Sequence, residues 1–280
     1  MNRLQLILSL LFLAIYSVSY SQEEEKIKKF RFGIDLGVDF PNKQYSHFLD
    51  GSHPYGASRI LGQPTTKQQI EARLGYPILD WEYSSANSYQ SSVFTGVYLG
   101  FDIKPTLSVV MKFDFSVVRF STPLVLRLNN PQNFTGEFET AIVNAREQRF
   151  LYAIGVEQKF ETESVLKPYL AGGLTLNYIQ LENQELIVAD VTYNIMRVNT
   201  SQALTVQQID GFGYGFYLEG GVTYKLNDKF SLGLGGVFNM QANESYVEKL
   251  TVNSAYNAKS IEDAQGLLPS FSAYLRIIWN

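Results

Sequence analysis

The sequence predicts an all-β fold, an eight-stranded antiparallel up-and-down β-barrel that spans a membrane and carries long loops at one end. Three observations lead to this prediction. Apolar and polar residues alternate along eight segments, the connections between these segments are short and long in turn, and the polar faces combine glycine with charges of both signs. Alternation with a period of two is typical of a strand whose two faces meet different surroundings.

The chain begins with a segment that predicts export. An apolar run from Leu4 to Val18 follows a basic residue, and Ser19 and Ser21 are small residues suited to a cleavage site. The run is shorter than the ~20 residues that a membrane helix needs. The domain prediction is therefore a cleaved signal peptide at 1–21 and an outer-membrane β-barrel domain at 22–280.

The first predicted strand shows the alternation plainly. In FRFGIDLGVDF, residues 30–40, every second residue is Phe, Ile, Leu or Val, and the others are glycine or charged. A helix would distribute both kinds of residue around its whole circumference. Every predicted segment reaches the ~9–11 residues that a tilted strand needs to cross a bilayer. The eight predicted strands lie near 29–40, 92–104, 107–120, 149–160, 168–180, 211–226, 229–240 and 269–280.

The connections give a second signal, because three are short and the other four are long. Transmembrane barrels have short periplasmic turns and longer extracellular loops. We therefore expect the outer membrane of a Gram-negative cell, with the N-terminus periplasmic and the long loops extracellular. Local alternation near 124–126 and 186–197 also predicts that some strands project beyond the membrane as hairpins. The long links are 41–91, 121–148, 181–210 and 241–268.

The apolar faces are expected to contact lipid, and the polar faces to line the interior. A soluble, lipocalin-like barrel is the alternative, because it turns its apolar face inward. Charges of both signs on the polar faces favour the lipid arrangement, since they can neutralise each other in a narrow interior. Aromatic rings near the strand ends also suit membrane interfaces. Those rings belong to Tyr152, Tyr178, Tyr224, Phe120, Phe160 and Trp279.

The polar faces predict a charged network inside the barrel. We expect Arg31 and Arg276 to meet near the seam between the first and last strands, with Asp35 and Glu219 as their acids. Lys225 also falls on a polar face. An eight-stranded interior is filled by side chains, so we expect this network to plug the barrel and not to conduct. The predicted structural network is Arg31, Asp35, Lys112, Asp114, Glu157, Lys159, Glu219 and Arg276.

Four stretches resemble a known family: FRFGIDLGVDF at 30–40, PYLAGGLTLNY at 168–178, YGFYLEGGVTYKLNDKFSLGLGG at 214–236 and FSAYLRIIW at 271–279. They are similar to small outer-membrane β-barrel proteins of Bacteroidetes, the PorT-like and OmpX/OmpA-barrel group. The resemblance covers the strands and implies a barrel in the outer membrane. Because this group includes secretion-system parts, complex subunits and proteins of unknown role, it implies no single activity.

The residues for chemistry are few. The chain has no cysteine, so disulfides and thiolate catalysis are excluded. His47 and His53 flank Asp50 in the first long loop, but they lack a third firm metal ligand and a fixed catalytic partner. The formal charge of -4 does not indicate a nucleic-acid binder. We therefore predict no enzymatic activity, no cofactor, no metal and no nucleic-acid partner.

The first long loop is the predicted contact site, because exposed aromatic residues suit protein or glycan surfaces. A self-packed cap is an equally good interpretation. The leading hypothesis is a structural or accessory subunit of an outer-membrane complex for secretion, assembly or uptake, with lipid and other outer-membrane or surface proteins as partners. A stand-alone binding or adhesion barrel and a loop-sited hydrolase or acyltransferase are the alternatives. The aromatic residues of this loop are Tyr45, Phe48, Tyr55, Trp81, Tyr83 and Tyr89.

Overall fold

A computed structural model describes residues 30–42, 57–83, 88–130, 137–195, 197–200, 203–251, 254–255, 259–262 and 267–279. Strands dominate these residues, and two helices lie in the segment after the first strand. In chain order the elements are β1 (Phe30–Phe40), α1 (Ala57–Gly62), α2 (Pro64–Leu74), β2 (Ile78–Tyr83), β3 (Ser88–Tyr89), β4 (Ser92–Lys104), β5 (Leu107–Leu128), β6 (Glu137–Lys159), β7 (Leu166–Val188), β8 (Val191–Asn194), β9 (Arg197–Thr200), β10 (Ala203–Lys225), β11 (Phe230–Thr251), β12 (Ser254–Ala255), β13 (Lys259–Glu262) and β14 (Leu268–Trp279).

Eight of the strands form a closed antiparallel ring in the order β1–β4–β5–β6–β7–β10–β11–β14. The ring closes where β14 pairs with β1, and there Phe32 lies opposite Trp279 and Asp35 opposite Arg276. Closure gives the backbone groups of each ring strand partners on both sides, which an open sheet edge would lack. The predicted all-β class and the predicted eight antiparallel strands are confirmed.

At one end of the ring, the turn end, the links between strands are short. Pro105 and Thr106 join β4 to β5, and residues 226–229 join β10 to β11. In the second turn the Asn227 side chain accepts hydrogen bonds from the backbone N–H groups of Lys229 and Phe230, each at 2.9 Å. Such side-chain acceptors define tight turns. The predicted strand borders at this end lie within two residues of the observed ones.

At the opposite end, the loop end, five ring strands continue well past their predicted limits. Strands β5 and β6, for example, remain paired from Val117 opposite Gln148 to Leu128 opposite Glu137. The predicted long links 121–148, 181–210 and 241–268 are therefore wrong in extent, because backbone pairing continues through much of each. The stretch 124–126 lies in the long β5–β6 pair and 186–194 in the β7–β8 hairpin, so strands do extend here, and their place relative to the membrane stays a prediction.

The projecting strands carry a hydrophobic core of their own. We call this core, together with α1, α2 and β2, the cap. Helices α1 and α2 and strand β2 come from the first long link, and β2 pairs with the projecting part of β5. Pro64 occupies the first turn of α2, and Gly75, at φ 80°, ends it. Neither helix among the described residues is long and apolar enough to cross a membrane. The buried cap core consists of Ala57, Ile60, Leu61, Ile70, Ile78, Leu124, Leu126, Leu128, Ala141, Val143, Leu186, Val188 and Ile195.

The cap core lies on the face of the sheet that continues the inner wall of the ring. On β5, Lys112 faces the interior of the ring and Leu124 faces the cap, and residues an even number apart share one face of a strand. Strand β7 reaches the same face through a register shift opposite Arg146 and Glu147. The helices therefore cover an upward extension of the inner wall.

Candidate functional site

The outer surface of the ring is an apolar belt. All eight ring strands contribute large exposed apolar side chains at alternate positions, for example Phe30 at 61% exposed and Leu234 at 60%. A water-soluble protein rarely exposes apolar surface so continuously. Further belt residues are Leu36, Val93, Met111, Ile154, Leu174, Phe216 and Leu275.

Aromatic rings cluster at both rims of this belt. At the turn end, Trp279 lies between Phe32 and Phe230, with ring centroids 5.6 and 5.7 Å apart. Near the loop end, Phe150 contacts Phe115 at 5.1 Å and Tyr178 at 6.1 Å. Aromatic girdles of this kind flank the apolar band of membrane barrels. Phe120, predicted at an interface, is instead buried, because its position on β5 points to the inner wall.

Inside the ring, the turn end holds one cluster of ion pairs. The Arg31 guanidinium lies 3.1 Å from Asp102 and 2.9 Å from Glu157. Lys159 pairs with the same Asp102 at 2.8 Å. The Tyr98 hydroxyl donates to Glu157 at 3.0 Å. Each carboxylate here has at least two donors, which offsets much of the cost of burying its charge.

A second cluster fills the middle of the ring around Arg276. This guanidinium donates to both carboxylate oxygens of Asp35, at 2.7 and 2.8 Å, and lies 3.1 Å from Glu219. Lys112 also pairs with Glu219. The Arg276 guanidinium stacks over Tyr98, 4.0 Å from the ring centroid. We call the two clusters together the lumen network, and it further includes Ser108, Tyr169 and Tyr274, through hydrogen bonds to Asp102 and Glu219.

The structure places seven of the eight predicted network residues in these clusters, and Asp114 lies apart from them. Arg31 finds its acids in Asp102 and Glu157, so the expectation that Asp35 and Glu219 serve both arginines is wrong for Arg31. Lys225 lies at a turn and pairs with Asp228 in solvent. Strand β10 ends at Lys225, so the side chain of Lys225 lies outside the ring interior although its position continues the polar face.

Sequence reasoning missed the tyrosines of the network. Tyr98, Tyr169 and Tyr274 are almost completely buried, and their hydroxyls bind Glu157 or Glu219. The available signal was their position, because each alternates with lipid-facing residues and therefore falls on the polar face. Glycines make room for them: a Cβ on Gly235 would lie 2.6 Å from the Tyr274 hydroxyl and 2.8 Å from the Tyr169 hydroxyl.

Toward the loop end, a cavity of about 50 Å³ with both polar and apolar lining residues lies above the lumen network, and we call it the chamber. Asp39 and Asp114 line it, and neither has an ion-pair partner among the described residues. The Oδ1 atoms of Asp114 and Asn239 are buried and accept no hydrogen bond. Arg149 also lines the chamber and pairs with Glu147. Other polar lining residues are Ser116, Asn177, Gln241, Ser270 and Ser272.

The aromatic residues predicted for partner contact divide into two groups. Trp81 and Tyr83 are half-buried and pack against the cap core. Tyr89 contacts the edge of Phe120 at 5.5 Å. Trp81 and Tyr83 thus help to hold the cap together, whereas Tyr89 packs on Phe120 outside the cap core. Tyr45, Phe48 and Tyr55, together with His47 and His53, lie outside the described residues.

No protein-family model and no curated protein sequence matches this chain. Solved structures to which this chain is similar include Neisserial surface protein A, at 10% identity and a TM-score of 0.36, over 89% of this chain and 95% of that one. OprG of Pseudomonas aeruginosa is similar at 10% identity and a TM-score of 0.38, over 89% of this chain and 94% of that one. A major outer membrane protein of Thermus thermophilus is similar at 10% identity and a TM-score of 0.43, over 90% of this chain and 99% of that one. At 10% identity these likenesses assign no role to any residue of this chain.

Proposed function

We propose that this chain is an outer-membrane β-barrel of a Gram-negative cell and a non-enzymatic structural or accessory subunit of an outer-membrane protein complex. The apolar belt is the observation that supports a location in a membrane. Contact with water would cost about 25 cal/mol for each Å² of this apolar surface, whereas contact with lipid costs nothing comparable. The polar interior supports the same orientation, because the charges of the lumen network are paired inside the ring.

The lumen network supports a scaffold and not a pore. Arg31 and Arg276 with their acids lie between opposite walls of an eight-stranded ring, where side chains of this size fill the interior. The ion pairs also engage the charged groups of the lumen network, which a catalytic site there would need to keep accessible. We therefore place the activity of the protein at its loop end.

The cap supports contact with another protein. It has its own buried core, in which Ile70 and Leu126 are completely inaccessible, and so it presents a preformed surface beyond the belt. A preformed surface loses less conformational entropy on binding than a flexible loop does. We propose that the cap is extracellular, that the N-terminus is periplasmic, and that the chain groups with the PorT-like small barrels of Bacteroidetes.

A matched pair of cap variants tests this proposal. Ile70→Asp places a charge in the cap core, whereas Gln68→Asp adds the same charge on the exposed side of α2. The wild type and both variants are purified in mild detergent from native membranes, and their co-purifying proteins are quantified by mass spectrometry. We expect a stoichiometric partner with the wild type and Gln68→Asp, and its loss with Ile70→Asp.

The folded state of the barrel must be measured on the same samples. Folded membrane barrels migrate differently from heated ones on electrophoresis, so retention of that shift in Ile70→Asp shows that only the cap changed. A wild-type preparation without any stoichiometric partner would refute the subunit proposal and favour a barrel that binds its target alone. A partner retained by Ile70→Asp would refute the role of the cap.

A further inference from the structure

The charges inside the ring do not balance. Among the side chains that the structure describes there, the five cations are all engaged by five of the carboxylates. Asp39 and Asp114 remain, and these are the two carboxylates that line the chamber. The cations are Arg31, Lys112, Arg149, Lys159 and Arg276, and the engaged acids are Asp35, Asp102, Glu147, Glu157 and Glu219.

The chamber also contains acceptor atoms without donors. Asn239 is 4% exposed, and its Oδ1 atom, like Oδ1 of Asp114, is buried and accepts no hydrogen bond. Asp39 accepts a hydrogen bond from the Ser272 hydroxyl at 2.5 Å. Leaving a buried acceptor without a partner is costly, and more so when the acceptor is charged. The unmet demand in the chamber is therefore for positive charge and for a species that binds oxygen.

Arg149 meets this demand only in part, because its charge attracts Asp39 but is shared with Glu147. It lines the chamber, but its guanidinium is held by Glu147 and lies 5.4 Å from the Tyr89 ring centroid. Lys112, on the same face of β5 as Asp114, is held by Glu219. Moving either cation toward the chamber would leave another buried carboxylate unpaired, which is equally costly.

We propose that the chamber binds a divalent cation of the hard, oxygen-binding kind, with Asp39 and Asp114 supplying the charge and Asn239 an amide oxygen. Two positive charges match the two unpaired carboxylates. Ca²⁺ fits best, because it accepts carboxylate, amide, hydroxyl and water oxygens in irregular geometry, whereas Mg²⁺ demands a regular octahedron. A water needs roughly 10–15 Å³ of such space, so about 50 Å³ holds the ion and a few waters.

This site goes beyond the proposed function, departs from the expectation of no metal that was drawn from the sequence, and does not depend on a partner protein. His, Cys, Asp and Glu form no group of three or more that could hold a metal in the described residues. The chamber differs from such a group because it offers two carboxylates supplemented by amide and hydroxyl oxygens. Its affinity should therefore be modest, in the range of extracellular Ca²⁺ modules.

The test measures thermal unfolding of the purified, detergent-folded protein at neutral pH with millimolar CaCl2 and with a chelator. We expect Ca²⁺ to raise the unfolding midpoint of the wild type by several degrees, with a smaller shift from MgCl2 and none from NaCl at equal ionic strength. Asp114→Asn should remove the Ca²⁺ shift, and calorimetric titration should lose a single binding event. Asp80→Asn, which changes an exposed carboxylate of β2, should retain both.

Asp114→Asn preserves the size of the side chain and removes a buried charge, so we expect it to fold. Asp39→Asn provides a second, independent variant with the same expected loss. A wild-type midpoint that does not respond to Ca²⁺ would overturn the proposal and indicate that protons or waters satisfy the chamber. A Ca²⁺ shift that persists in both variants would also overturn it, because the ion would then bind elsewhere.

Discussion

Arg276 of β14 donates two hydrogen bonds to Asp35 of β1, at 2.7 and 2.8 Å, directly across the seam that closes the ring. The pair specifies the register of this seam. A slip of one residue would turn Arg276 to the lipid-facing side, because successive side chains of a strand point to opposite faces. The same seam therefore closes the sheet and positions Arg276, the most deeply buried cation among the described residues.

Arg276→Ala is expected to destabilise the folded barrel by about 3–5 kcal/mol, the usual cost of removing one partner from a buried ion pair. The cost arises mainly at Asp35, because Glu219 keeps its contact with Lys112. Urea unfolding in detergent or lipid measures the change. Adding Asp35→Asn to Arg276→Ala should recover part of the loss, and a double variant no more stable than the single one would contradict this account.

The wild-type protein is expected to form no large, stable channel in a planar bilayer. Arg31, Arg276 and the tyrosines around Glu219 occupy the interior, and opening a path would break several buried ion pairs together. Single-channel recording tests this expectation. Arg276→Ala should change the stability of the barrel more than its conductance. Long-lived, uniform openings from the wild type would show that the interior is not plugged.

Gly235→Ala is expected to destabilise the protein by about 1–3 kcal/mol, as overpacking of a filled interior does. Its new methyl group would lie 2.6 Å from the Tyr274 hydroxyl and 2.8 Å from that of Tyr169. Gly220→Ala is the control, because the nearest atom to its Cβ is Leu170 Cδ1 at 3.9 Å. Chemical denaturation should separate the two variants, and equal stability would refute this packing of the tyrosines.

The sequence predicted the ring well because period-two alternation is a property of each strand alone. Phe32 and Ile34 face out and Asp35 faces in whatever the partner strand is. Ion-pair partners, by contrast, depend on strand tilt and side-chain reach across the interior. Arg31 therefore could be placed inside, but its contact with Glu157 on a distant part of the chain could not be derived.

The cap was harder to predict, because its strands and helices pack against partners that lie far away in the sequence. Its helices did leave a signal. Ala57, Ile60 and Leu61 follow helical spacing, and Pro64 and Gly75 mark the start and end of α2. Helix α2 contains few apolar residues, and only Ile70 of that helix is buried. Tertiary contact with the projecting strands is therefore needed to stabilise it.

Replacing both His47 and His53 with Ala is expected to leave the biological activity unchanged, because the proposed function is non-enzymatic and the sequence offers these histidines no third firm metal ligand. Complementation of a deletion strain by the double variant measures this. A variant that folds and reaches the membrane but fails to complement would favour the hydrolase or acyltransferase hypothesis.

The absence of cysteine from the sequence permits a direct test of the proposed topology by single-cysteine labelling with a membrane-impermeant maleimide. Gln68→Cys in α2 should react on intact cells, and Lys229→Cys in a short turn only after the periplasm is opened. Leu234→Cys should resist labelling in both states, although Leu234 is 60% exposed on the bare protein, because lipid covers the belt. Labelling of all three in opened cells with intact membranes would indicate a water-soluble ring, and labelling of Lys229→Cys before Gln68→Cys would reverse the orientation.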